Sequence, residues 1–302
     1  MKFLVFRIKI AVLFTRFCGW LKSGDSKKNK SKGELLKAKI LTDFFTKKYL
    51  PAIKNLEQKE ITTENRETIW QFWDNPQGKT TPKIVESCLD SVKNFKWSFE
   101  HLILNNSTFE NYTDLPGYVL DKFVKGQIDH AHFADLLRLN LLKNHGGVWM
   151  DATCYMTDFI PKKIMDEDFF VFLTGKMTLF PYAFMQNCFI RSKKGSFLCE
   201  NWYLMCIDFW KNQKKTIDYF QHQLMFKSLV ENDLTAKKYF EKMPHISEDE
   251  THQLSRKLLE KFDVKQWEKI KKTSFFQKTT YKVNENFDYS DTYFSKLSQE
   301  KL

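Results

Sequence analysis

The stretch from Gln127 to Thr157, QIDHAHFADLLRLNLLKNHGGVWMDATCYMT, limits what this chain can fold into more than any other. Ala131, Ala134, Leu137, Leu141 and Leu142 recur at helical spacing, which predicts a helix with an apolar stripe. Lys143 and His145 stand in its last turn, where the helix dipole favours cations, and Gly146-Gly147 supplies the stop. Val148, Trp149 and Met150 then read as a strand that delivers Asp151 to its end.

The segment upstream has the same alternation. Residues 67–74 (ETIWQFWD) are rich in β-formers and stop at Asn75-Pro76 and Gly78, as a core strand opening into a loop does. Thr81-Pro82 reads as an N-cap and first helical residue, with Ile84, Val85, Cys88, Leu89 and Val92 at helical spacing behind it. A second strand, His101 to Leu104, ends at the turn-forming Asn105-Asn106. Strand, helix, strand is the pattern of an α/β sheet, which binds ligands at the carboxyl ends of its strands.

Composition narrows the class. With 302 residues, 42% hydrophobic and 28% charged, the chain has the make-up of a folded globular protein, not of a disordered, collagenous or coiled-coil one. Only 10 glycines and no internal period argue for one compact domain. The excess of 48 Lys+Arg over 37 Asp+Glu, net +11, favours an anionic partner: a membrane surface, a diphosphate substrate or nucleic acid. No basic recognition helix or aromatic-glycine motif is found, so specific nucleic-acid binding is not expected. Cys18, Cys88, Cys154, Cys188, Cys199 and Cys206 lie far apart with no C-x-x-C pair, as reduced, buried thiols of a cytoplasmic protein do.

The first twenty residues, MKFLVFRIKIAVLFTRFCGW, are interrupted by Arg7, Lys9 and Arg16. No run reaches the roughly 18 to 20 apolar residues that spanning a bilayer needs. Lys2, Lys9 and Arg16 share one helical face, with Phe3, Phe6, Ile10, Leu13, Phe14 and Phe17 over much of the rest. With Lys27, Lys28, Lys30 and Lys32 behind it, such a helix suits the surface of a membrane through residues 1–32, or packs on the protein's own domain. Residues 23–33 read as a solvated linker. The expected division is a helical, basic extension over 1–58, a main domain over 59–285 and a polar tail over 286–302.

Asp135 and Arg138 share a helical face three residues apart. They either pair with each other on a partly exposed surface, or point into a substrate cleft. His130 and His132 cannot share a helical face and read as structural; His145 reads as a helix-end residue bonding the last carbonyls. Trp149 reads as core, as do Phe197, Leu198, Trp202, Tyr203, Met205, Cys206, Phe209 and Trp210. Asp218, Tyr219 and His222 fall on a helix-like stretch from Lys215 to Val230, and Lys271 and Lys272 read as a solvated face.

Five segments in order then resemble a known family: Ile69-Trp70-Gln71-Phe72-Trp73, Ala134-Asp135-Leu136-Leu137-Arg138, Gly146-Gly147-Val148-Trp149-Met150-Asp151-Ala152-Thr153, Gln186 to Gly195, and Lys272 to Lys282. They are similar to segments of the capsular polysaccharide synthesis glycosyltransferases, relatives of glycosyltransferase family 32 and, more distantly, of the clostridial glucosylating toxins. The resemblance implies a GT-A fold, Rossmann-like with a mixed central sheet flanked by helices. It implies an enzyme that transfers a sugar, with retention, from a nucleotide-diphosphate sugar, UDP-sugars first among them, to a capsular or other surface glycan. That acceptor is expected to be lipid-linked, and the enzyme cytoplasmic and peripheral on the inner membrane face. By the same analogy Asp151 takes the first acidic position of a D-x-D motif, and Asp135 and Arg138 hold the donor sugar as part of the catalytic set. Trp70 or Trp73 flanks the base, Asn187 lies near the sugar, and Lys278 reaches the diphosphate.

The family's chemistry implies a divalent cation, manganese or magnesium, at Asp151. Here the second acidic position is Thr153, which leaves that shell one carboxylate short. His222 or a later carboxylate completes it, or Lys278 and Arg138 carry much of the diphosphate charge. A protein of this fold without catalysis, binding sugar nucleotides as a scaffold, is the alternative.

Overall fold

Ile69, Trp70 and Phe72 fall in strand β1 (Thr68–Phe72), the buried centre of the molecule. β1 pairs in parallel with β2 (Glu100–Leu104) on one side and β3 (Gly147–Met150) on the other, with Trp70 opposite Trp149. β4 (Cys154–Met156) leaves this sheet, while β5 (Phe169–Leu173) and β6 (Met185–Ser192) complete it in the order β2-β1-β3-β6-β5. β6 is antiparallel to both its neighbours. The carboxyl ends of β1, β2, β3 and β5 therefore share one edge with the amino end of β6. The expectation of an α/β fold with a mixed central sheet flanked by helices is met.

The computed structural model describes residues 26–53, 67–75, 78–178, 180–284 and 286–299, and the isolated positions 6, 8, 10 and 13. In chain order the helices are α1 (Ser26–Lys48), α2 (Lys83–Phe95), α3 (Gly117–Val124), α4 (His130–His145), α5 (Lys162–Met165) and α6 (Phe197–Asn212). They continue as α7 (Gln221–Asn232), α8 (Leu234–Lys242), α9 (Gln253–Lys257), α10 (Val264–Lys271) and α11 (Tyr293–Gln299). A short strand, β7 (Phe276–Lys278), pairs antiparallel with β4 and sets Lys278 opposite Cys154. Among the described residues no helix is long and apolar enough to cross a membrane.

The predicted helix–glycine–strand unit forms as read. Asp129 caps α4 by accepting from the His132 N–H, and the Gly146 N–H closes the other end on the Leu142 carbonyl. Gly146 has φ 71° and ψ −164°, and Gly147 φ 102°. Side chains rarely tolerate that backbone, so the pair turns the chain from α4 into β3. Two hydrophobic clusters result. The larger runs over both faces of the sheet; the smaller joins Ile84, Val85 and Cys88 of α2 to Ala152, Tyr155, Trp267, Ile270, Tyr293 and Leu297.

Several expectations are corrected. The linker read over residues 23–33 is helical from Ser26, and α1 docks on the body through buried Leu41, Phe45 and Tyr49, the last two against Phe209. Its lysine-rich start carries no apolar stripe in the sequence. Thr81 caps nothing: Pro82 takes the N-cap position and α2 begins at Lys83. The polar tail expected over 286–302 contains α11, whose Tyr293 and Leu297 are buried against α2. The helix carrying His222 starts at Gln221, and Asp218 before it pairs with Lys37 at 2.8 Å. His145 bonds the Tyr112 carbonyl at 2.8 Å, not its own helix end. The amphipathic reading of residues 1–20 lies outside the described residues, except that Phe6, Ile10 and Leu13 are exposed and Ile8 is buried. Cys18 is outside them too; Cys88, Cys154, Cys188, Cys199 and Cys206 are free and buried.

Candidate functional site

The shared carboxyl edge gathers the charged residues. Asp151 is the first residue after β3, and its backbone N–H donates to the Cys188 carbonyl of β6 at 2.8 Å while its carbonyl accepts from the Cys154 N–H at 2.9 Å. The position is thus fixed from both sides. Its Oδ1 accepts from Trp149 Nε1 at 3.0 Å and from Arg138 Nη2 at 3.4 Å, and its Oδ2 from Lys278 Nζ at 3.0 Å.

Arg138 comes from α4, a helix buried on most of its surface, so its charged groups need partners. Its guanidinium donates to the Asn187 carbonyl at 2.7 Å, lies 3.2 Å from Asp135 Oδ1 and sits 5.0 Å over the Trp149 ring. Asn187, at the start of β6, donates its side-chain N–H to Asp135 Oδ1 at 2.8 Å. The pair is therefore buried, at 8% and 5% exposure, and linked to Asp151. The two pair with each other as one reading had it, but in the interior and not on a partly exposed surface.

Lys278 arrives from the other side. The Lys278 N–H bonds the Thr251 carbonyl at 2.7 Å and the Thr279 N–H the Thr153 carbonyl at 2.8 Å. Its ammonium donates to Thr153 Oγ1 as well as to Asp151. Burial opposes ionisation of Asp151, but Lys278 and Arg138, helped by the Trp149 N–H, outweigh it and hold the carboxyl down to about 2. Burial also opposes the charge on Lys278, and Asp151 outweighs it, so this ammonium loses its proton only well above the usual lysine range. Asp135 is pushed up by burial, against the pull of Arg138 and His132.

His222 is near this chain of contacts but not on Asp151. Its Nδ1 lies 3.6 Å from Asp135 Oδ1 and 3.4 Å from Asn187 Nδ2, and its ring lies against Trp202, centroids 4.1 Å apart and tilted by 30°. Burial, then Arg138 and His132, drive its pKa well down, so it is a neutral imidazole. Trp70 does not reach the edge: it is fully buried, its Nε1 donating to the Gly146 carbonyl at 3.0 Å. Trp73 does, half-buried past the end of β1, with Tyr281 edge-on at 5.1 Å. Sequence reasoning missed Trp149, which is buried yet bonds Asp151; the signal was its place on β3 two residues before Asp151, where strand alternation carried one residue on puts both on one face. The Thr251 backing of Lys278 had no local signal.

The residues present do not fit the implied divalent cation. Both Asp151 oxygens carry N–H donors, two of them cationic, and Thr153 accepts from Lys278. Among the described residues no three His, Cys, Asp or Glu side chains converge as a metal site. A cavity of about 520 Å³ lies elsewhere, lined by Asn111, Asp114, Lys143, His145, Lys194 and Glu200. It shares no residue with the charged cluster.

Comparison with known proteins adds the following. The profile of a family described as capsular polysaccharide synthesis protein matches residues 22–297. The O-glycosyltransferase braB of Annulohypoxylon truncatum is 24% identical over 185 residues, covering 56% of this chain. The match spans 44% of that relative's length. Among solved structures, PaToxG Glycosyltransferase is similar over 68% of this chain and 84% of its own, with 14% identity and a TM-score of 0.41.

Proposed function

Because this chain belongs to the capsular polysaccharide synthesis protein family, we propose that it is a glycosyltransferase that moves a sugar from a nucleotide diphosphate onto a growing surface glycan. One observation carries the reading: Arg138 and Lys278 meet on Asp151 at the open edge of the sheet. In such a transfer the bond between the anomeric carbon and a diphosphate oxygen breaks, and its electron pair stays on that oxygen. The acceptor hydroxyl oxygen bonds the anomeric carbon and its proton is released. Charge grows on the leaving diphosphate, so preorganised cations lower the barrier. Arg138 and Lys278 are such cations, held before substrate arrives by Asp151, Asp135 and Thr153. Trp73, half-exposed past the end of β1, suits the nucleotide base, and Asn187 with Asp135 suits the sugar hydroxyls.

The donor is a nucleotide-diphosphate sugar, UDP-sugars first, and the acceptor a lipid-linked glycan. Exposed Phe6, Ile10 and Leu13 fall at i, i+4 and i+7, one helical stripe, which supports contact with the membrane that holds such an acceptor.

The test is release of nucleoside diphosphate from a panel of nucleotide sugars in the presence of glycan acceptors. One donor is expected to turn over, and Asp151→Asn to lower that rate by about a hundredfold with the fold retained. A fully active Asp151→Asn protein would overturn the site. Donor binding with no turnover would leave the scaffold alternative.

A further inference from the structure

We infer that Lys278 is the resident cation of the donor site, standing where a divalent metal is implied, and that the site takes its nucleoside diphosphate free of metal. This rests on the glycosyltransferase reading. The geometry carries it. The Asp151-Ala152-Thr153 turn presents two side chains to the edge, and the Lys278 ammonium binds both, Asp151 Oδ2 at 3.0 Å and Thr153 Oγ1. Thr153 is thus not a gap in a metal shell; its hydroxyl is a neutral acceptor suited to an ammonium.

The lysine is not a chance visitor on a floppy side chain. β7 sets it opposite Cys154, its own N–H is fixed on the Thr251 carbonyl, and the next residue is tied to Thr153 through both its N–H and its hydroxyl. Cys88 of α2 bonds the same Thr279 hydroxyl group at 3.3 Å. Two of the three ammonium N–H groups are used by Asp151 and Thr153, which leaves one for a diphosphate oxygen.

Charge points the same way. Asp135 and Asp151 are balanced by Arg138 and Lys278, so the cluster offers a divalent ion no net negative charge. A metal on Asp151 would have to displace Lys278 and then sit beside two cations, whereas a diphosphate oxygen can take the remaining ammonium N–H of Lys278 without displacing anything.

The experiment is calorimetric titration of the full chain with UDP, GDP and CDP, after stripping with EDTA and again with excess Mn²⁺. One nucleotide is expected to bind with an affinity that changes by less than about twofold between the two conditions. Mn²⁺ added with that nucleotide is expected to give only the paramagnetic resonance spectrum of the protein-free mixture. Lys278→Met is expected to weaken binding by about tenfold or more, and Lys278→Arg to recover part of the loss. The metal comparison needs no variant, so a Lys278→Met protein that fails to fold does not blunt it. Binding seen only with Mn²⁺ would overturn the inference while leaving a nucleotide-sugar enzyme in place. No binding of any nucleotide in either condition would remove the donor reading itself, and this inference with it.

Discussion

Trp149 and Arg138 have different tasks at the same carboxylate. The indole N–H of Trp149 holds Asp151 Oδ1 while its ring fills the core beneath, so packing and positioning can be separated by substitution. Trp149→Phe keeps most of the apolar volume and deletes one hydrogen bond to a charged group, which is worth about 1.5–3 kcal/mol. The expected result is a fall of roughly tenfold or more in kcat/KM with a modest drop in melting temperature; unchanged kcat/KM would make the residue core only. Arg138 holds four groups at once, the Ala134 and Asn187 carbonyls and the Asp135 and Asp151 carboxylates, through a planar fork, a geometry that lysine lacks. Arg138→Lys should therefore weaken UDP binding and lower the melting temperature together, measured by calorimetry and thermal unfolding, although the charge is kept.

Elements matter here by where they end. α4 and β3 meet at Gly146-Gly147, and the φ of 71° with ψ of −164° at Gly146 lies in a region essentially reserved for glycine. Gly146→Ala is expected to cost about 1–3 kcal/mol in denaturant unfolding, and a neutral result would show that the turn relaxes. α11 has the opposite character, distant in sequence but close in consequence. It packs on α2, Ser87 Oγ donates to the Leu297 carbonyl, and Cys88 one residue on bonds the Thr279 hydroxyl beside Lys278. Leu297→Ala should destabilise the protein by about 2–5 kcal/mol, read from denaturant unfolding, since it opens a cavity in the smaller cluster. A change under a tenth of that range would mean α11 is only loosely docked.

At the scale of the whole molecule, buried titratable groups set the response to acid. Burial lowers His101 and His252 to about 4 and His222 well below its ordinary value. Between about pH 6.5 and 4 the unfolded chain therefore binds protons that the folded one refuses, and stability falls as the pH is lowered through that window. Asp135, Glu167 and Glu248, pushed up by burial, act in the opposite sense; Asp151, held near 2, adds a further loss only below about pH 4. The three histidines, whose ordinary pKa of about 6.5 falls inside the range while the carboxyls' lies below it, predict a melting temperature that drops from pH 7 to pH 5, checked by calorimetry across that range; a rise would give the raised carboxyls the larger share. The alternation of strand and helix, the glycine break and the strand end at Asp151 were legible because they are local: a few neighbouring side chains and the backbone preferences of glycine decide them. So was the burial of Phe209 and Trp210, which follows from helical period. The fully buried place of Trp70 was not legible, since a tryptophan near a strand's end reads the same whether it faces core or ligand. The helix at Ser26–Lys48 was legible only as part of a helical, basic extension; its docking on the body through Leu41, Phe45 and Tyr49 was not. The sequence by itself determined that a carboxylate would stand at the open edge of an α/β sheet; only the tertiary structure decided that Lys278, more than a hundred residues away, would be the cation on it, because β7 reaches β4 through long-range pairing that no local pattern encodes.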